Sequence, residues 1–212
     1  MNNNLLSKLL MYLANQAKLG VVALPSIRDL GDQLEMSVTS VREELQVARA
    51  MGLVEVKPRT GIKILPFSFK PSVLKSLAFS VNVHKRNFRQ FSDMRNHIEA
   101  SYWYQAVSKL LDEDIKELNQ IISKAKEKLN FDPIQLPHDE HRKLHLTIYK
   151  RLDNVFVLGI LEAYWDMYEA VGLSVYEDRN YLARVWNYHQ QMVESINQSN
   201  FLSGYQSLIA HM

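Results

Sequence analysis

The sequence predicts a mainly α-helical chain: a small N-terminal unit of three short helices closed by a β-hairpin, then an all-helical bundle of six or seven helices. Three observations predict it. Apolar residues recur at helical spacing through most of the chain. Strand-like alternation is confined to one stretch, LVEVKPRTGIKIL at 53–65. Turn signals (NFDP, LDN and EDRN) cut the second half into helical segments of 12–18 residues.

Taken in order, Leu5, Leu9, Leu10, Leu13 and Ala17 form one helical face, which Gly20 ends. Ser26 can cap a helix whose apolar face is Ile27, Leu30 and Leu34. A turn through Glu35 and Met36 follows. Ser37 then caps a helix with Val41, Leu45 and Ala48 inward and Gly52 at its end. Two short strands flank a Pro58–Gly61 turn. This order is that of a winged helix-turn-helix. The helix from Ser37 is short, with small polar residues at its start, as suits a major groove. Lys57, Arg59, Thr60 and Lys63 near the hairpin tip suit phosphates or a minor groove. The first domain spans 1–66 and a connector spans 67–90. The stretch FKPSVLKSLAFSVNVHKRNFRQ lacks acidic residues, and its second half is expected to be helical. The helical bundle fills 91–212.

Charge is uneven. Residues 1–98 hold 14 Lys or Arg against 7 Asp or Glu, and residues 99–212 hold 11 against 16. A basic front half points to a polyanionic partner. Cysteine is absent, which fits a reducing cytoplasm and leaves His, Asp and Glu as the only metal donors. The N-terminal segment reads as an amphipathic helix and not a signal peptide. No apolar run approaches the roughly 18 residues of a membrane span. No P-loop, Rossmann glycine pattern or H-E-x-x-H is present, and no general base stands beside a candidate metal site, so the chain is not read as an enzyme.

The seven histidines are at 84, 97, 138, 141, 145, 189 and 211. In HRKLH, His141 and His145 stack on one helical face and flank the apolar stripe of Leu144, Ile148 and Leu152. Both should face the interior or its edge. There they need hydrogen-bond partners or a metal. Tyr102, Trp103, Trp165, Trp186 and Tyr188 can line a cavity or simply fill the core.

The segment LPSIRDLGDQLEMSVTSVREELQVARAMGLVEVKPRTGIKIL resembles the winged helix domain of GntR-type regulators. That family shows Leu-Pro-Ser-x-Arg-x-Leu-Ala, then Ser-Arg-x-x-Val-Arg-x-Ala-Leu, Gly-Leu-Val and a wing glycine. The helical region resembles the FCD domain of the FadR-type branch. The resemblance implies a homodimeric, metabolite-responsive transcription factor, usually a repressor, bound to a palindromic double-stranded DNA operator. It carries DNA contact onto Arg28, Ser37, Thr39, Ser40, Arg42 and Gly61, which join Val38 and the hairpin-tip Lys57, Arg59 and Thr60 as candidate DNA-binding residues. Where the family usually has Arg this chain has Val38, which cannot grip guanine bidentately. The resemblance also implies a metal held by an Asp and three His. His145, His189 and His211 match the three, the last two 22 residues apart. His141 stands in the Asp position. Four imidazoles suit Zn²⁺ or Ni²⁺. Arg95, in an Arg-x-x-x-Glu pattern, and Asn187 are candidates for an organic-acid effector. Arg95 and Glu99 can also form a plain helical ion pair. A metal-free acyl-sensing regulator is the alternative expectation, and a metalloenzyme the remote one.

Overall fold

Three serines set the starts of the first three helices. Ser7, Ser26 and Ser37 accept from the backbone N–H of Leu10, Asp29 and Ser40, and open α1 (Lys8–Lys18), α2 (Ile27–Leu34) and α3 (Val38–Ala50). Each supplies a partner for an amide that the helix itself cannot satisfy. The computed structural model describes residues 5–57, 61–171 and 179–212. The chain divides into two units, Met1–Ser72 and Val73–Met212.

In the first unit Leu9, Leu13, Leu30, Val41, Leu45 and Ala48 pack with Val54 and Ile62 of the sheet. The turn from α2 to α3 passes through Glu35 in the left-handed region, at φ 50°. The sheet has three strands, not the expected two. β1 (Ala23–Leu24) pairs antiparallel with β3 (Gly61–Ile64), which pairs antiparallel with β2 (Val54–Lys57) in the order β1-β3-β2. Two residues carry no readable alternation. β1 exists because the outer edge of β3 offers it free backbone groups. Gly52 closes α3 with φ 74°, and a Cβ there would lie 2.5 Å from Pro71 Cγ. No other residue fits that turn without displacing the proline ring.

Among its described residues the second unit contains helices and no strand. α4 (Lys70–Val83) begins earlier than the connector's composition suggested and turns almost the whole stretch into a helix. Then follow α5 (Asn87–Val107), α6 (Asp112–Leu129), α7 (His138–Tyr149), α8 (Val155–Ala170), α9 (Arg179–Asn197) and α10 (Phe201–His211). Trp103, Leu118, Leu144, Ile148, Tyr149, Leu161, Met192 and Leu208 are fully buried at the bundle centre. A second core joins Leu77, Val81 and Phe88 to Tyr164, Trp165 and Met167. Among the described residues no helix is long and apolar enough to cross a membrane.

Two devices place the helices that matter below. α10 lies hard against α5 because position 204 is glycine: a Cβ there would come 2.6 Å from Trp103 Cζ2. Trp103 Nε1 donates to the Phe201 carbonyl at 2.9 Å in the same contact. The other device is Asp114, buried near the start of α6. It accepts from its own helix's Leu111 N–H at 2.9 Å, from Arg151 Nε at 2.8 Å and from Lys150 Nζ at 2.6 Å. Arg151 first, then Lys150 and the Leu111 amide, hold its carboxyl well below the usual range against the cost of burial. The carboxylate thereby ties α6 to the end of α7. Asp114→Ala leaves these donors without their acceptor, and should lower stability by about 2–4 kcal/mol. Urea denaturation followed by helical circular dichroism would show a lower midpoint with an unchanged slope.

Candidate metal centre

α7 opens after Pro137 with Asp139 and Glu140 in its first turn, which favours a helix start there. Leu144 and Ile148 are fully buried and fix which face of α7 turns inward. That face also carries His141 and His145, one turn apart. α9 turns inward through Trp186, Met192, Val193 and Ile196, and His189 sits among them with no exposure. α10, pressed onto α5 at Gly204, brings in His211 from its last turn. The packing of α10 thus offsets the fraying expected near a helix end.

The four histidines meet. One nitrogen from each lies within 4.8 Å of the others. His145 Nε2 is 3.2 Å from His189 Nε2, which is 3.1 Å from His211 Nε2. The His141 ring centroid is 4.8 Å from that of His189 and 5.2 Å from that of His145. Two nitrogens bound to zinc at about 2.0–2.1 Å, at angles of roughly 90–110°, lie about 2.9–3.4 Å apart, so the His145–His189 and His189–His211 spacings suit a shared ion. His141 Nε2 is inaccessible to solvent and has no hydrogen-bond partner among the described residues, as suits a nitrogen whose lone pair is free to ligate. Trp165 and Trp186 wall the cluster, 4.7 and 6.1 Å from the His141 ring.

Electrostatics favour the neutral ring in every case. Burial pushes His141, His145 and His189 well below their ordinary value; Arg95 adds to this at all three, and neighbouring histidines add to it at His141 and His189. Burial likewise lowers His211, to about 3. Neutral imidazole is the form that ligates metal.

Beneath the cluster lies a buried ion pair. Arg95 and Glu99 are one turn apart on α5, with Nε 3.0 Å from Oε1 but out of line for a hydrogen bond. Glu99 Oε2 is 3.0 Å from His145 Nδ1. Burial raises Glu99 to about 6, against the opposing effect of Arg95. The Arg95 guanidinium carbon stands 4.8 and 5.0 Å from the Tyr164 and Trp165 rings. Arg95 was expected near the effector, and it lies directly behind His145. Glu99 was not among the expected site residues. Its only sequence signal was the Arg95 spacing, which reads equally well as a surface pair.

Other expectations move. Asn187 is exposed, in a depression of about 400 Å³ with Lys126, Asn130 and Gln190, outside the histidine cluster. It sits two residues from His189, about 200° around the helix, so sequence proximity misled. In the first unit, Arg28, Val38, Thr39, Arg42, Lys57 and Gly61 are exposed. The Ser37 hydroxyl is occupied in capping α3, donating to Ser40 Oγ at 3.0 Å. Arg59 and Thr60 lie outside the described residues.

A helix-turn-helix with a wing, followed in sequence by a helical bundle, is the architecture of a transcriptional regulator. Residues 90–212 match the profile of the FCD domain, and the chain belongs to the FCD branch of the GntR family of transcriptional regulators. It is 21% identical over 197 residues to the HTH-type transcriptional regulator LutR of Bacillus subtilis (strain 168), covering 89% of this chain and 87% of that protein. Among solved structures it resembles a Streptococcus agalactiae GntR protein with a TM-score of 0.60 and 14% identity, over 95% of this chain and 93% of that one. The latter likeness is one of fold. The family consists of regulators and not enzymes.

The pH dependence of stability follows from the buried rings. Folded, the four histidines resist protonation; unfolded, they take protons below about 6.5. Their contribution is therefore complete above 6.5 and lost as pH falls. Glu99 acts oppositely between 4.5 and about 6, where the folded chain binds a proton that the unfolded chain does not. One carboxyl offsets part of four imidazoles. Metal-free protein should show a clearly lower urea midpoint at pH 5.5 than at 7.5, and equal midpoints would contradict the burial argument.

Proposed function

We propose that this regulator binds a palindromic double-stranded DNA operator as a cytoplasmic homodimer and acts as a repressor. In this reading His141, His145, His189 and His211 hold a divalent metal that assists binding of a small organic-acid effector. The observation that carries the reading is the convergence of four neutral imidazoles within 4.8 Å in a bundle walled by aromatic rings. When bound, the ion supplies positive charge and a coordination position for a carboxylate oxygen.

The donor set favours particular metals. Four nitrogens suit zinc or nickel better than the hard ions that prefer carboxylates. His141 in place of Asp also leaves the donor set without negative charge. The loaded site then keeps the ion's full charge, which strengthens attraction for an anion. Arg95 adds a second positive group behind His145. Asn187 has no part in this site.

Residues 1–66 form the DNA-binding domain in this proposal, 67–90 the connector, and 91–212 the effector-binding and dimerisation domain. Val38 and Thr39 begin the major-groove helix, and their methyl groups can pack on a thymine methyl. Arg42, one turn on, takes over base or backbone anchoring with Ser40 and the Ser37 cap beside it. Arg28, Lys57, Arg59, Thr60 and Gly61 meet the phosphates and the adjacent groove. Effector binding favours the state that does not fit the operator, and the population shifts accordingly.

Two experiments test the two halves separately. Protein stripped with a chelator should take up about one Zn²⁺ per chain by calorimetry, and His145→Ala and His189→Ala should each lose at least about tenfold in affinity. Protein that cannot be reloaded would instead favour a metal-free, acyl-sensing domain. Arg42→Ala and Lys63→Ala should each weaken operator binding and reduce the salt slope by about one. Unchanged affinity in both variants would remove the DNA face from these residues.

A further inference from the structure

We infer that one ring nitrogen of His145 couples metal capture to the release of Arg95, so that a carboxylate ligand binds well only once the metal is held. The inference rests on the metal site proposed above. His145 Nδ1 has two neighbours: Glu99 Oε2 at 3.0 Å and Arg95 Nη2 at 2.9 Å. An ionised carboxylate only accepts hydrogen bonds and a guanidinium only donates them. One ring nitrogen cannot satisfy both.

The two neighbours select two forms of a neutral ring. With the ring proton on Nε2, Nδ1 accepts from Arg95, and Nε2–H donates to His189 Nε2 at 3.2 Å. With the proton on Nδ1, His145 donates to Glu99, and Nε2 turns a lone pair toward the other imidazoles. Only the second form can ligate through Nε2. The ring proton moves from Nε2 to Nδ1, so His145 neither gains nor loses charge. Glu99 is thus a positioning residue: its carboxylate holds the ring in the ligating form.

The second form leaves Arg95 Nη2 facing an N–H. The guanidinium is planar and rigid, so it must swing away as a unit, loosening the Nη1 hydrogen bond to Asn96 Oδ1 (3.0 Å) and the contact of Nε with Glu99 while it stays against the Tyr164 and Trp165 rings. A buried guanidinium nitrogen without a partner is costly. A ligand carboxylate next to the metal supplies that partner. Ligation at Nε2 and carboxylate capture at Nη2 therefore reinforce one another, and the reinforcement is reciprocal. This also reconciles the two readings of Arg95. It is the Glu99 ion pair in one state and a carboxylate clamp in the other.

The test uses the full chain, stripped by chelator and reloaded with Zn²⁺, with acetate as the carboxylate probe. Imidazole nitrogen-15 NMR, with His145 assigned by a His145→Gln control, should show Nδ1 unprotonated without Zn²⁺ and protonated with it. Acetate should bind the Zn²⁺-loaded protein about tenfold or more tightly than the stripped protein. Arg95→Lys should keep Zn²⁺ affinity and reduce the acetate enhancement to less than about twofold. Glu99→Gln should weaken Zn²⁺ binding about 10–100-fold with helical content retained. A protonated Nδ1 in both states, or equal acetate affinity with and without Zn²⁺, overturns the coupling while leaving the metal centre standing. Failure of the wild-type chain to take up Zn²⁺ overturns both. The NMR comparison needs no variant at Glu99, so a folding defect there does not decide the matter.

Discussion

Burial of four imidazoles whose ring nitrogens are not all satisfied by the protein is the constraint on which the helical unit turns. His145 and His189 have no exposure, and the buried Nε2 of His141 meets no donor or acceptor among the described residues. A polar group in that position opposes folding unless something else fills its lone pair. The rest of the bundle is arranged around tolerating this. Leu144 and Ile148 force α7's inward face, Gly204 lets α10 reach α5, and Trp165 and Trp186 exclude water from the rings. The apolar core thus holds open an arrangement that its polar centre alone would not favour. Such local conflict between burial and polarity is typical of places where a protein binds something.

The Arg95–Glu99 pair adds a second layer to the same economy. A buried ion pair is weak as a source of stability, because desolvation offsets most of the attraction. This one is also poorly aligned, with Nε and Oε1 close but off axis. Its significance lies in where it points. Both partners reach the same nitrogen of His145, so a state of the cluster is felt by α5. α5 packs against α7, α8 and α10, which connects the centre to most of the bundle. By contrast, Asp114 is well satisfied, with its donors aligned, and serves only to hold α6 to α7.

Legibility in the sequence followed the range of the interaction. Helix starts were readable because capping is local: Ser26 and Ser37 sit three residues from the amides they serve. The inward face of α7 was readable because Leu144 and Ile148 share a stripe with His145. The convergence of His145, His189 and His211 was not in the periodicity at all; it came from family spacing. β1 escaped because a two-residue strand is created by its partner's edge and leaves no pattern of its own. Glu99 escaped because spacing cannot tell a buried pair from an exposed one. Asn187 was misplaced because adjacency along a helix is not adjacency in space. The early start of α4 was hidden by Pro71, which reads as a breaker but is well tolerated in a first helical turn.

His141 has a consequence at the level of heredity. Aspartate and histidine codons differ by a single base at the first position. A chain with Asp here and this chain with His would therefore be neighbours by point mutation, with no intermediate that lacks a donor. The residue sits one turn from His145 on a face already turned inward, so either side chain arrives at the same place. Exchange at this codon would change the donor set and the charge of the proposed centre, while the helices and the aromatic walls around it stay as they are.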